Sequence, residues 1–385
     1  MKSSNPRPLP GPNAHLIGRV EGAAQLSTPC LVLDKAAFER NITTAARRTA
    51  SSGVALRPHA KTHKSSAIAK AQIAAGASGI CTATIGEAEA LAATGIDDIL
   101  VTSTFTQDAK IARAVALARL GVRLTVVVDD GSVAQRLAAA AEAADLVLPV
   151  LIDVDLGRHR NGVISPEAAV QLAACVAAWR GLRLDGIQAY ASHISHVERY
   201  PARLEAARAC DAEVMRIRTA LQVNGHAIKT VTGGSTGTLF IDLAGRVYTE
   251  LQAGSYVFSD AEYAAVALED VVSEPFAPSL FVRVSVIGRN WPGRVTCDGG
   301  NKHFSARGTL PVFARPPVAG AVYRPDSDEH GIIDLPAGTA QPALGETFEL
   351  VVPHCDPTVN LFDAYHVIED GMLVDIWPIE ARGAF

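Results

Sequence analysis

Two histidines and two lysines crowd into one short stretch, Arg57-Pro58-His59-Ala60-Lys61-Thr62-His63-Lys64, directly after the apolar run Gly53-Val54-Ala55-Leu56. A strand that delivers such groups into a loop can present chemistry. A lysine shielded by neighbouring cations loses its proton near neutral pH and attacks a carbonyl as an amine, which is what a Schiff base requires. A solvated basic loop has the same composition, so other residues must decide. Arg158 and Arg160 form a second basic pair, and Tyr190, Ser192, His193 and His196 a third group. The run Gly233-Gly234-Ser235-Thr236-Gly237-Thr238 offers backbone N–H groups and hydroxyls that suit a dianion such as phosphate, although Gly-Gly-Ser also builds ordinary turns. Gln252-Ala253-Gly254-Ser255-Tyr256 offers similar donors, or else a bulged strand with a buried tyrosine.

In His354-Cys355-Asp356 an imidazole and a carboxylate stand two residues apart. In a strand, alternate residues share a face, so His354 and Asp356 point one way and Cys355 the other. The pair suits Mn²⁺, Mg²⁺ or Zn²⁺ with water in the open positions, and equally well makes a plain His–Asp hydrogen bond.

Short β-branched runs alternate with longer Ala-rich stretches of helical period, the pattern of repeated β-α units around a parallel sheet. Strands are predicted over 30–33, 54–58, 79–82, 98–102, 123–128, 148–154, 184–190 and 230–232, with helices over 35–49, 65–74, 86–94, 108–120, 132–144, 166–179 and 201–223. Eight strands over roughly 230 residues match an α/β protein of the (β/α)8, TIM-barrel type. An open doubly wound sheet is the alternative, but no G-x-G-x-x-G follows the first strand. From about residue 270 short strands separated by Pro and Gly take over (280–287, 293–297, 347–352, 364–368, 372–377), which predicts a second, all-β domain. The expected organisation is an arm over 1–27 packed on the β domain, a barrel over 28–265, and a β domain over 266–385 that carries His354 and Asp356.

A barrel gathers its chemistry at the C-terminal ends of its strands. In that frame Lys61 follows strand two, Arg158 and Arg160 strand six, Tyr190 and His193 strand seven, and the Gly/Ser/Thr loop strand eight. A Schiff-base lysine and a phosphate cradle on one barrel face point to pyridoxal 5'-phosphate. Composition agrees with a globular enzyme for small molecules: hydrophobic residues make up 48%, and a net charge of -5 gives no basic field for nucleic acid or a membrane surface. No long apolar run or signal-peptide core is present, and the six cysteines lack a C-x-x-C pair, so a cytoplasmic protein with reduced thiols is expected.

Several segments carry a family resemblance: 28–34, 57–64, 157–163, 186–190, 233–237, 250–256, 328–331 and, most specifically, His354-Cys355-Asp356-Pro357-Thr358-Val359-Asn360-Leu361. The chain resembles the fold-type III pyridoxal phosphate enzymes, which share the alanine racemase architecture. Within them it is similar to the D-threonine aldolase and 3-hydroxy-D-aspartate aldolase branch of the D-serine dehydratase-like family. The resemblance implies that Lys61 holds the cofactor as an aldimine, flanked by His59 and His63, with Arg160 near its phenolic oxygen and Tyr190 against its ring. Gly234, Ser235, Thr236, Gly254, Ser255 and Tyr256 would hold its phosphate. His354 and Asp356 would hold a divalent metal. The aspartate, where the dehydratases carry cysteine with zinc, favours Mn²⁺ or Mg²⁺, with Zn²⁺ as the alternative. The implied reaction splits D-3-hydroxy amino acids to glycine and an aldehyde in a homodimer; the alternative is dehydration of D-serine or D-3-hydroxyaspartate to a 2-oxo acid and ammonia. Two departures stand out. Where the aldolases have a histidine after the tyrosine this chain has Ala191, leaving His193, His63 or metal-bound hydroxide as the base, and residues 81–87 look more like the dehydratases. Lys64 is expected to be a solvated charge at a helix start.

Overall fold

The computed structural model describes residues 11–270, 275–305 and 309–385; of the expected arm, residues 1–10 lie outside these. The first correction concerns β1 (Cys30–Asp34). It was expected in the barrel, yet it runs antiparallel to β10 (Leu280–Gly288) and parallel to β16 (Ala364–Glu369), in the other sheet. An apolar run of four to five residues specifies a buried strand but not which sheet receives it.

The barrel is made instead by β2 (Ala55–Leu56), β3 (Ile80–Thr82), β4 (Asp98–Val101), β5 (Arg123–Val128), β6 (Leu148–Val154), β7 (Leu182–Ala189), β8 (Thr230–Gly233) and β9 (Glu250–Leu251). Their order is β2-β9-β8-β7-β6-β5-β4-β3, all parallel. Backbone bonds from Ser78 N–H to Leu56 O and Cys81 N–H to Pro58 O, both 2.8 Å, close the ring. The (β/α)8 expectation therefore holds, with β9 in the place expected for β1. Buried on both faces, the strands read as runs such as Val126-Val127-Val128. Gly186 and Gly233 are required where β7 and β8 press together. A Cβ on Gly186 would lie 1.9 Å from Thr230 O, and one on Gly233 2.0 Å from Ala189 O. That approach brings the loop after β8 against Tyr190.

The second sheet has the order β13-β14-β11-β10-β1-β16-β17, with β15 (Thr347–Val351) beside β10 and β12. Here β11 is Arg294–Cys297, β12 Val312–Arg315, β13 Val322–Pro325, β14 Gly331–Asp334 and β17 Met372–Pro378. The three short strands β12 to β14 are not evident in the sequence, because prolines and charges at Arg315-Pro316-Pro317 and Arg324-Pro325 mask the alternation. Residues 11–27 lie on this sheet: Gly18 N–H donates to Leu373 O at 2.8 Å, and Asn13 Nδ2 to His366 Nε2 at 2.9 Å.

One core cluster runs through both parts. Tyr365 on β16 is fully buried, packs 5.8 Å from the Phe258 ring, and donates its hydroxyl to His63 O at 2.6 Å. Burying an aromatic ring of this size stabilises by about 2–3 kcal/mol, and this ring also props the turn that carries Lys61. The His354 segment is not a strand end. β15 stops at Val351, and His354 is the extended N-cap of a short helix, Cys355–Val359. Pro357 in its first turn needs no backbone donor, and Asp356 lies at the favoured N-terminal end of the helix dipole.

Candidate active site

A cavity of about 670 Å³ opens at the C-terminal ends of the barrel strands. The turn Ala60–Thr62 after β2 sets Lys61 in its floor. His59 lines the same floor and is held in one tautomer: Nδ1 accepts the Lys61 N–H at 3.3 Å, so Nε2 donates to Thr102 Oγ1 at 3.0 Å, which donates to Thr82 O at 3.1 Å. Burial, then the Lys61 charge, pushes this imidazole well below its ordinary pKa and keeps it neutral. Lys61 itself departs from the expectation that neighbouring cations would release its proton. Its Nζ lies 3.6 Å from Asp356 Oδ2, and that carboxylate raises the ammonium well above its ordinary pKa against the effect of burial.

Two further expectations for this loop fail. His63 does not flank the cavity; it is wholly buried, with Nδ1 accepting the Ser65 N–H at 3.2 Å and the Gln72 side chain beside it. Burial lowers it to about 3, and it is out of reach as a base. Lys64 is not solvated but takes a left-handed turn (φ 52°) and pairs with the buried Glu87. Both outcomes follow from tight winding after Ala60, whose oxygen accepts N–H groups from His63 and Lys64.

His354 and Asp356 do come together, with Nε2 and Oδ2 3.3 Å apart. Asp260 fixes the ring: its Oδ2 accepts from His354 Nδ1 and from Cys355 N–H, each at 2.9 Å, while Oδ1 caps Tyr263 N–H at 3.0 Å. This carboxylate-to-imidazole contact leaves Nε2 facing the cavity, the arrangement metal-binding histidines use. Glu262 Oε2 lies 3.6 Å from both His354 Nδ1 and His196 Nε2, so His196, Glu262 and His354 form a group able to hold a cation. Burial disfavours a charged imidazole, yet Asp260 and Asp356 raise His354 to about 10. Burial likewise opposes the Asp356 carboxylate, but Lys61 and His354 hold it well below the ordinary range. Asp356 Oδ1 and Thr62 Oγ1 are buried without a partner of proper hydrogen-bond geometry, although the hydroxyl is near enough to favour the carboxylate. An unspent carboxylate oxygen, an oriented imidazole and surplus acidic groups fit a divalent cation. Burial pushes the Cys355 thiol far above its ordinary range; with Asp260 and His354 it makes a second, more buried group able to hold a cation, whereas the group that opens on the cavity offers only nitrogen and oxygen. Asp260 and Glu262 were missed from sequence. Their own acidic-x-acidic spacing, like that of His354-x-Asp356, was the available signal.

Gly234, Ser235, Thr236, Gly254 and Ser255 also line the cavity. Gly234 adopts φ 72°, and the loop is braced by Ser235 N–H to Thr238 Oγ1 (3.0 Å) and Thr238 Oγ1 to Asp242 Oδ2 (2.6 Å). A Cβ on Gly254 would sit 2.5 Å from Thr62 Oγ1 and 3.0 Å from His59 O, so the cradle packs directly on the lysine turn. A small cradle beside a lysine fits pyridoxal phosphate. Tyr256 is the exception among the expected contacts. It is turned into the core, where its hydroxyl accepts from Gln72 Nε2 at 3.0 Å, and its N–H is taken by Thr236 Oγ1 at 3.0 Å. Arg160, Tyr190 and His193 line the remaining wall; His193 is exposed, over Gly157.

Below the cavity a polar layer crosses the barrel. Asp153 accepts from Gln188 Nε2 and Asn161 Nδ2, each at 2.8 Å, and Gln252 donates to Gln188 Oε1 at 3.2 Å. Burial raises Asp153 to about 6 despite these bonds. Between the ordinary carboxyl value and about 6 the folded state holds a proton that the unfolded state has lost, so stability falls as pH rises through that window and is level above it. The unfolding free energy of the wild type minus that of Asp153→Asn is therefore expected to fall by up to about 3 kcal/mol between about pH 4 and pH 6.5, by denaturant titration.

Known proteins match this arrangement. A model of the alanine racemase N-terminal domain covers residues 33–262, and one of a serine dehydratase domain covers residues 279–368. Over 361 residues the chain is 38% identical to a D-threonine aldolase of Arthrobacter sp, covering 94% of each. The chain belongs to the D-threonine aldolase and 3-hydroxy-D-aspartate aldolase branch of the alanine racemase-fold family. Members of this branch are carbon–carbon lyases. It is 36% identical over 365 residues to a 3-hydroxy-D-aspartate aldolase of Paracoccus denitrificans, covering 94% of this chain and 93% of that one. The crystal structure of D-threonine aldolase from Filomicrobium marinum superposes with a TM-score of 0.89 at 36% identity, covering 94% of this chain and 96% of that one. Among the described residues no helix is long and apolar enough to cross a membrane.

Proposed function

We propose that this enzyme cleaves D-configured 3-hydroxy amino acids to glycine and an aldehyde, with pyridoxal 5'-phosphate and a divalent metal, Mn²⁺ or Mg²⁺ before Zn²⁺. The observation that carries the proposal is the meeting, across one cavity, of Lys61, the 234–236 and 254–255 cradle, and the His354, Asp356, His196 and Glu262 group. When bound, the cofactor would supply a sink for the electron pair left on Cα, and the metal a Lewis acid for the 3-hydroxyl. Lys61 Nζ would hold the cofactor, Tyr190 would bound its ring, Arg160 its phenolic edge, and Ser235, Thr236, Gly254 and Ser255 its phosphate. His354 Nε2 and Asp356 would hold the metal, oriented by Asp260.

Proton transfer from the substrate hydroxyl falls to His193. Ala191 is buried and does not line the cavity, whereas His193, like His196, lines it. A ring nitrogen of His193 accepts the proton as the Cα–Cβ bond breaks. The same residues support a second reading, loss of the 3-hydroxyl to give a 2-oxo acid and ammonia. Ala191 and the serine dehydratase domain match favour that reading. D-threonine incubated with the loaded enzyme decides between them. Glycine and acetaldehyde are expected; a 2-oxo acid with ammonia would replace the aldolase by the dehydratase. The proposal extends to a homodimer in the cytoplasm; a monomeric sedimentation profile would remove the homodimer.

A further inference from the structure

Arg203 heads the fully buried side chains by volume, and among the described residues its guanidinium meets no carboxylate. Its donors go to main-chain oxygens of three separate segments. Nε donates to Gly237 O at 2.8 Å, Nη1 to Val197 O and, at 3.2 Å, to Glu198 O, and Nη2 to Ala267 O. Each segment continues a different stretch of the cavity lining. Gly237 follows Ser235 and Thr236 in the cradle; Val197 and Glu198 follow His193 and His196; Ala267 follows Glu262 and Tyr263. The segments also touch one another. Ala267 N–H donates to Glu198 O at 3.1 Å, and a Cβ on Gly237 would lie 1.9 Å from Ser195 O.

Burying an arginine whose planar fork is spent on backbone carbonyls is costly unless the geometry it imposes matters. Lysine, a single ammonium on a flexible stem, cannot span acceptors on three segments in one plane. We propose that Arg203 is a positioning residue that holds the phosphate cradle in register with the histidine loop and the Glu262 segment, so that filling the cradle orders the metal-side wall as well. The proposal rests on the cradle's assignment to the cofactor phosphate.

The test is titration of apo-protein with pyridoxal phosphate and, separately, with pyridoxal, for wild type, Arg203→Lys and Arg203→Met, with circular dichroism confirming the fold. Both variants are expected to lose about tenfold or more in affinity for pyridoxal phosphate while affinity for pyridoxal stays within about threefold. Folded variants that lose both affinities equally, or neither, would overturn the proposal. Should the variants not fold, hydrogen exchange on the wild type decides. Pyridoxal phosphate, but not pyridoxal, is expected to raise protection together over 195–198, 234–238 and 262–267; protection confined to 234–238 sinks the idea. A wild type that binds both compounds equally would instead remove the cradle assignment, and this inference with it.

Discussion

Lys61→Ala protein is expected to lose turnover by at least about 10³-fold, the scale on which removal of a covalent-catalysis nucleophile is felt. Lys61 reaches the cavity from a short turn whose backbone is held by His59, and its amine packs against Asp356 rather than against the core. The substitution should therefore spare the fold, and far-ultraviolet circular dichroism should match wild type. Borohydride treatment of wild type with pyridoxal phosphate should attach one cofactor per chain at Lys61, seen by peptide mass. The variant should show no attachment. If it still carries one covalently fixed cofactor, another amine holds it and the lysine assignment is wrong.

Removing the metal-side carboxylate should cost nearly as much. Asp356→Ala takes away the buried oxygen that has only the Thr62 hydroxyl beside it and leaves His354 without its nearest acidic neighbour on the cavity side. Metal affinity is expected to fall by well over about 100-fold, with activity falling accordingly, whereas Asp260→Asn, one step removed, should cost about 10–100-fold. Chelation followed by titration with Mn²⁺, read by metal binding and by product, separates the two. Full activity after exhaustive chelation would take the metal out of the reaction. Equal losses in the two variants would show that Asp260 is itself a ligand.

Much of this was legible in the chain because the signals are local. Lys61, Tyr190, His193 and the 234–236 loop are found at strand ends, since a short apolar or β-branched stretch such as Val54-Ala55-Leu56 or Thr230-Val231-Thr232, followed by basic residues or by Gly and Ser, states both the strand and its exit. The Lys64 environment was not legible, because its partner Glu87 lies 23 residues away across a turn with positive φ. Nor were the roles of Asp260 and Glu262, which look like ordinary first-turn acids until the segment packs against His354.

The basic stretch after Leu56 shows where sequence ends and folding begins. Residue types and spacing by themselves determined that a barrel strand delivers a lysine to the same face as a phosphate-sized loop, because strand period and glycine content are properties of neighbouring residues. Only the tertiary structure decided that His59 faces the cavity while His63 is entombed, that β9 rather than β1 completes the barrel, and that Asp356 sits 3.6 Å from the Lys61 amine. Those outcomes depend on contacts between segments up to roughly 300 residues apart, and no local pattern encodes which buried surface a segment will meet.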